Sequence, residues 1–193
     1  MKTIITFLLS MMGLSSAFAQ ELAGVFYDPR DRQEYETVIL EFEIDGTNLV
    51  REWFTTNLNF EKEGSFCYKN YQEYCNSYGR LYAWTAAMDA CPTGWHLSTQ
   101  EEWDMLTTSY GGVQFAAAEI KEGGDSGLEI KMSGFGEQDG SYIDIGVNGY
   151  YWNTADLNAK APGLITFHTG EEYLSSDQIN QTHRNSVRCV KDY

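Results

Sequence analysis

The chain has 193 residues, of which 28 are Asp or Glu and 13 are Lys or Arg, for a formal charge of −15. That excess of acid repels nucleic acid and anionic membrane surfaces, so a nucleic-acid partner is not expected, and no apolar run reaches the length that membrane insertion needs. With 42% hydrophobic and 15% aromatic residues the chain can fill a core, which sets it apart from a disordered acidic polymer.

In chain order, Lys2 precedes an apolar run from Ile4 to Leu14, and Ala17-Phe18-Ala19 forms a small-x-small site before Gln20. Residues 1–19 read as a secretory signal peptide, and 20–193 as one exported domain placed in the periplasm, on the cell surface or outside the cell. Residues 20–34 are polar and turn-rich, with Asp28-Pro29-Arg30-Asp31 the expected turn. Val38, Leu40, Phe42 and Ile44 then alternate with Thr37, Ile39, Glu41 and Glu43, which predicts a strand. Asp45-Gly46 is a tight hairpin signal, and Leu49 to Phe54 returns as its partner.

Cys67 and Cys75 bracket a short loop, CYKNYQEYC, in which charged and aromatic residues interleave without a period. Next, Trp84, Ala87, Met88 and Cys91 fall at i, i+3, i+4 and i+7, predicting a helix with one apolar stripe that Pro92 and Gly94 stop. Ser98 with Glu101, or Thr99 with Glu102, offers a capping box for a second helix, on which Trp103, Leu106, Thr107 and Tyr110 repeat the spacing. Gly111-Gly112 ends it, and Val113, Ala116, Ala117 and Ile120 suggest a third, alanine-rich helix. Residues 122–149 are rich in Gly and acids and read as long loops between short strands. Strand candidates are Leu128 to Met132, Tyr142 to Ile145, Tyr150 to Thr154, Leu164 to Thr169 and Ser186 to Lys191.

Four cysteines in an exported chain read as two disulfides, and four allow three pairings. Spacing favours Cys67 with Cys75 across the short loop, and Cys91 with Cys189 from the first helix to the alternating terminal run SVRCVKD. Zinc is disfavoured, because no CxxC pair exists and His96, His168 and His183 are scattered. The economical fold class is α+β: two main short helices on a small, mainly antiparallel sheet, with long irregular loops.

The segments DPRDRQEYETV (28–38), NLNF (57–60), CYKNYQEYCNSYGRLYAW (67–84), AAMDACPTGWHLSTQEEW (86–103), GYYW (149–152) and SVRCVKD (186–192) together resemble the Fibrobacter succinogenes major paralogous domain family. That resemblance implies an exported bacterial domain of C-type-lectin-like fold, distantly similar to formylglycine-generating enzymes. Such folds commonly tie the first helix to the last strand, which agrees with Cys91–Cys189. Against the family pattern, the Leu40 to Phe54 hairpin is an extension, and Asn185 stands where a glycine is usual. The Glu-Pro-Asn and Trp-Asn-Asp tripeptides of calcium-dependent sugar-binding lectins are not matched: no Glu-Pro-Asn occurs, and Trp152-Asn153-Thr154 lacks the acid.

Flat aromatic faces suit sugar C–H surfaces, so Tyr150, Tyr151 and Trp152 are the binding candidates, against a core reading for Trp152. Trp84 and Trp103, on helical stripes, read as core, and His96 in GWHL as a structural hydrogen-bonding residue rather than an acid or base. Asp125, Glu137, Asp139 and Asp144 are the loop acids through which calcium could bind, although no EF-hand spacing is present. No cofactor is expected. Catalysis is not expected either: both cysteine pairs are used by bridges, which removes the reactive pair of the formylglycine-generating enzymes, and no GxSxG elbow is present. The reading is therefore a non-catalytic module that binds an envelope glycan or protein through loops between residues 122 and 182. The alternatives are a structural envelope protein or a degenerate enzyme of that superfamily.

Overall fold

The computed structural model describes residues 21–44, 46–155, 157, 161–169, 174–177 and 181–193. The expected leader, its cleavage site and Asp45 of the hairpin turn lie outside them. Thirteen strands and four short α-helices are assigned among the described residues, so the class is α+β, with two sheets rather than one small one. Among the described residues, no helix is long and apolar enough to cross a membrane.

The first sheet contains β1 (Glu21–Tyr27), β2 (Glu34–Ile44), β3 (Thr47–Phe54), β13 (Cys189–Asp192) and β6 (His96–Leu97), in that order. The β2–β3 hairpin is the one expected, with Val38 facing Trp53 and Leu40 facing Arg51 in register. Its alternation is reproduced in burial: Val38, Leu40 and Phe42 are buried while Glu41 and Glu43 are exposed. Ile44, at the hairpin end, is exposed instead of continuing the apolar face. The segment expected to be turn-rich from residue 20 forms β1, and the turn itself sits after it at Pro29 to Asp31. Arg30 fixes that turn through Asp28: its Nε donates to Oδ1 at 2.9 Å and its Nη2 to Oδ2 at 2.6 Å.

The second sheet runs β11 (Leu174–Asp177), β10 (Pro162–His168), β9 (Asn148–Thr154), β7 (Ser133–Gly136), β12 (Arg184–Asn185), β5 (Leu81–Ala83) and β4 (Ser65–Phe66), with β8 (Tyr142–Ile145) paired to β7. Its pairings are antiparallel except β7 with β9. Leu128 to Met132 is not a strand. Leu128 and Ile130 are fully buried, yet Glu129 sits at φ 53 and Ile130 bonds back to Ile120 O. The alternation there records burial beneath a helix end rather than ladder pairing.

The helices are α1 (Gln72–Tyr78), α2 (Trp84–Ala87), α3 (Gln100–Ser109) and α4 (Val113–Ile120). Of the two possible capping boxes, Thr99 with Glu102 forms: Glu102 N donates to Thr99 Oγ1 at 3.2 Å and Thr99 N to Glu102 Oε2 at 2.8 Å. Trp103, Leu106 and Thr107 are buried as their spacing predicts, and Ala116, Ala117 and Ile120 seat α4 beside them. The helix expected from Trp84 to Cys91 is a single turn. Met88 is 40% exposed, so the proposed stripe ends at Ala87, and Cys91 lies beyond it in the run toward Pro92. The cysteine loop is in turn not loop throughout, since α1 carries Cys75 on its buried face.

Two hydrophobic clusters lie on either side of the central strands. In β3, Trp53 joins one and Phe54 the other; in β9, Tyr151 and Trp152 divide the same way; at the C-terminus, Val190 and Cys189 do so again. Successive side chains on a strand point to opposite faces, so a strand with core on both sides reads as an unbroken apolar run. Trp53, Trp103 and Trp152 are completely buried. Each removes about 200 Å² of mostly apolar surface, for a gross gain of about 5 kcal/mol before chain entropy. Trp103 meets Trp53, Phe167 and Tyr151 at ring-centroid distances of 5.1, 5.9 and 6.2 Å.

Both expected disulfides are present, Cys67–Cys75 and Cys91–Cys189. Beside the second, Arg188 is completely buried. Its Nε donates to Asn57 Oδ1 at 2.8 Å, Nη1 to Phe54 O at 2.6 Å and Leu128 O at 2.8 Å, and Nη2 to Glu129 O at 2.7 Å. The guanidinium thus joins β3, the Asn57 segment and the loop after α4, and all four acceptors are neutral oxygens.

Candidate functional site

Of the three residues expected to offer stacking faces, two are core. Tyr151 and Trp152 are completely buried. Tyr151 OH donates to Lys131 O at 2.6 Å, and Trp152 Nε1 donates to Tyr82 O at 2.7 Å. A buried ring with its polar atom satisfied holds the fold and presents no face to a ligand. Tyr150 is partly exposed; its OH donates to Asp144 Oδ2 at 2.6 Å and its ring lies 4.7 Å from Phe135. Burial, and after it the Asp144 carboxylate, push the Tyr150 hydroxyl up to about 12.

The richer aromatic surface is built from four separate stretches. Arg184 of β12 pairs in register with Gly136 of β7, which pairs with Tyr142 of β8. Directly opposed residues share a sheet face, so Arg184 and Tyr142 flank the glycine. A Cβ on Gly136 would stand 3.1 Å from Tyr142 Cε1 and 3.3 Å from Arg184 Cδ, so the missing side chain lets both lie flat over the strand. Arg184 Nη1 donates to Tyr142 OH at 3.4 Å, and its guanidinium carbon stands 3.8 Å from the centre of the Phe66 ring.

The Cys67–Cys75 segment supplies the rest. Tyr68 is buried beneath, 5.2 Å from the Tyr142 ring and 5.3 Å from Tyr74, and Tyr74 in turn neighbours Tyr71 and Tyr78, each at 6.4 Å. Tyr71 is 58% exposed, while Tyr74, Tyr78, Tyr142 and Phe66 are half-buried. Gly134 at φ 63 makes room for Tyr68, whose Cε2 would sit 2.9 Å from a Cβ there. Lys69 at φ 52 and Asn70 at φ 61 hold the left-handed region that non-glycine residues rarely adopt, and Asn70 Oδ1 accepts from Tyr142 OH at 3.2 Å. Strained backbone of this kind costs about 1 to 3 kcal/mol per residue and persists where the surroundings hold it. Here the disulfide and the tyrosine contacts do so.

Three of the four loop acids considered for calcium are engaged locally, and the fourth, Asp125, is exposed. Asp139 Oδ1 accepts from Ser141 N at 2.8 Å, Asp144 accepts from Tyr150 and Asn148, and Glu137 stands 3.2 Å from His183. Backbone and side-chain bonds from Ser141 hold the Asp139 carboxyl below its ordinary value. Among the described residues, the grouping with metal-like geometry is elsewhere: His96, Glu102 and Asp192 bring their ligand atoms within 4.8 Å of one another. Arg51 Nε lies 3.3 Å from Glu102 Oε1 and 3.1 Å from Asp192 Oδ1, so a guanidinium already supplies the cation. His96 Nε2 stands 2.8 Å from Glu102 Oε1, the structural hydrogen bond its setting suggested.

The tyrosine face carries no periodic signal, because its residues are distant in sequence and each stretch is short. The available signals were the NYQEY tyrosines inside a cystine loop and the small-residue run SGFG ahead of a tyrosine-bearing strand. None of the curated proteins or solved structures compared with the chain matches it. The family model described as the Fibrobacter succinogenes major domain matches residues 41–191. That match spans both disulfides, α1 to α4 and every segment that builds the tyrosine face, and the chain belongs to that family.

Proposed function

We propose that the protein is an exported, non-catalytic module of C-type-lectin-like fold that holds a glycan at the cell envelope on the tyrosine-lined face. The single observation that carries the reading is the group Tyr71, Tyr74 and Tyr142: rings left partly open, with Asn70 and the Arg184 guanidinium stacked on Phe66 beside them, in a protein whose tryptophans are used in its cores. Stacking rings beside amide, hydroxyl and guanidinium groups suit a sugar, whose C–H face is apolar and whose rim is polar. Two disulfides fit an oxidising compartment outside the cytoplasm. The bridge from the segment after α2 to the last strand supports the C-type-lectin-like assignment, which the family resemblance also implies.

Affinity electrophoresis through gels containing envelope and plant polysaccharides tests the reading. Tyr142→Ala and Tyr71→Ala should each weaken retention about threefold to tenfold, the range expected for one aromatic contact. EDTA should leave retention unchanged, because the groups at this face are rings, an amide and a guanidinium rather than carboxylates. Retention on no polysaccharide, or retention indifferent to both substitutions, overturns the proposal.

A further inference from the structure

We infer that the glycan held on this face is acidic, a chain bearing carboxylates such as a polyuronate, and that Arg184 takes the carboxylate; the inference rests on the glycan reading above. The observation behind it is an imbalance of pairing. The chain has more than two acids for every base, and Arg30, Arg51 and Arg80 each have a carboxylate partner, Asp28 at 2.6 Å, Asp192 at 3.1 Å and Glu61 at 2.5 Å, while Arg32 is exposed on the turn before β2, with no ion pair among the described residues and no aromatic ring beneath it. Arg188 is saturated by four neutral oxygens in the interior. Arg184 has neither arrangement. Its contacts among the described residues are the Phe66 ring beneath it and the weak bond to Tyr142 OH.

Stacking on Phe66 occupies the flat face of the guanidinium and fixes its plane. The edge, with the remaining N–H donors, is left for a partner in that plane. A planar fork of donors matches the two oxygens of a carboxylate, and a fork already oriented loses less entropy when it binds. The nearest acid in influence is Asp139, whose carboxyl is tied to Ser141 N at 2.8 Å and forms no ion pair with Arg184 within 4 Å. A second cation on the same face, Lys69, is exposed, lies 5.8 Å from the Tyr68 ring centre, and likewise has no acid partner among the described residues.

Two unpaired cations among open rings, on a surface otherwise dominated by carboxylates, are complementary to a ligand with rings and negative charge together. The net charge of −15 opposes such a ligand at a distance. At physiological salt that repulsion is screened beyond about 8 Å, so the local pairing decides binding once the chain is in contact.

The experiment compares a polygalacturonate oligosaccharide with its methyl-esterified form, which keeps the same backbone and loses the charge, by calorimetry in EDTA on the mature protein. The acid should bind about tenfold more tightly than the ester, and rising salt should erode that preference. Arg184→Gln should bring the acid's affinity down to within about threefold of the ester's, and Arg184→Lys should restore part of the preference. Lys69→Gln, at an exposed position, should reduce the preference about twofold to threefold and serves if the Arg184 variants fold poorly. Equal affinity for acid and ester overturns the acidic-ligand inference and leaves the stacking surface standing. Binding of ester alone does the same, and binding of neither, nor of any polysaccharide in the gels, overturns both.

Discussion

The two regions closed by disulfides use the bond in different surroundings. Around Cys91–Cys189 the chain places completely buried residues: Cys189 itself, Val187, Val190 and Arg188, with aromatic clusters on both sides. Around Cys67–Cys75 it places left-handed Lys69 and Asn70, the short helix α1 and tyrosines graded from buried Tyr68 to exposed Tyr71. The first bridge spans 98 residues and closes the domain, whereas the second spans 8 and shapes a surface. Removing the first should unfold the protein, while removing the second should spare the fold and deform the candidate site.

The largest expected effect comes from replacing Cys91 and Cys189 together by Ala, which should lower unfolding stability by about 4 to 5 kcal/mol, the loop-entropy figure for a loop of that length. Denaturant melts of this variant and of the short-loop variant below should differ by about 2 kcal/mol. Equal losses would mean that the long bridge closes a chain already ordered by the β3–β13 pairing.

Next in size is Arg188→Leu. The substitution keeps volume and removes donors from Asn57 Oδ1, Phe54 O, Leu128 O and Glu129 O together. Buried acceptors left without donors cost about 1 to 3 kcal/mol apiece when relaxation is limited, and partial relaxation should bring the total to about 3 to 4 kcal/mol. Urea denaturation measures it. A loss under 1 kcal/mol would show that the loop after α4 rearranges freely and that Arg188 is not what joins it to β3.

Arg188 also shows where sequence reasoning stops. The hairpin β2–β3, the capping box at Thr99, helix α4 and both disulfides were legible, because each is signalled by local spacing or by cysteine position. The run from Ser186 to Lys191 looked like an alternating strand, but Val187, Arg188, Cys189 and Val190 are all completely buried, because cores lie on both sides. Leu128 and Ile130 alternate for burial, while the carbonyls of Leu128 and Glu129 serve Arg188 instead of a neighbouring strand. The β1 strand was hidden by Gly24 at φ 130 and by its partly exposed face. Helix α1 was hidden because Cys75 is its one buried residue, which leaves no period to detect. The tyrosine face was least legible: Arg184, Gly136 and Tyr142 meet through sheet register, a property of pairing that no single stretch records.

Replacing Cys67 and Cys75 by Ala should cost less, about 2 to 3 kcal/mol, and its main effect should fall on binding. With the bridge gone, the strained turn at Lys69 and Asn70 can relax, which releases Asn70 from Tyr142 and unseats Tyr68 beneath it. Polysaccharide retention at a temperature where the variant is folded should fall by at least the tenfold upper range of a single ring loss. Retention equal to the parent would place the ligand away from this surface, even with the fold intact.

The smallest effect belongs to Asn185, which sits beside Arg184 and makes the sharpest contrast with Arg188. It is 1% exposed, yet neither its Oδ1 nor its Nδ2 has a hydrogen-bond partner among the described residues. A buried amide in that condition carries a desolvation cost of about 1 to 3 kcal/mol. Asn185→Ala removes that cost and leaves a small void, whose penalty is of similar size, about 1 to 2 kcal/mol. The two nearly cancel, so stability should change by less than about 1 kcal/mol in either direction, against the several lost at Arg188 three residues on. The backbone pairing of Asn185 with Tyr82 and of Arg184 with Gly136 does not depend on the side chain, so the substitution should leave the guanidinium over Phe66 and ligand retention within twofold of the parent. A loss above about 2 kcal/mol in urea would show that the amide does have a partner in solution, and that this end of the sheet is held by polar bonds as the C-terminal closure is.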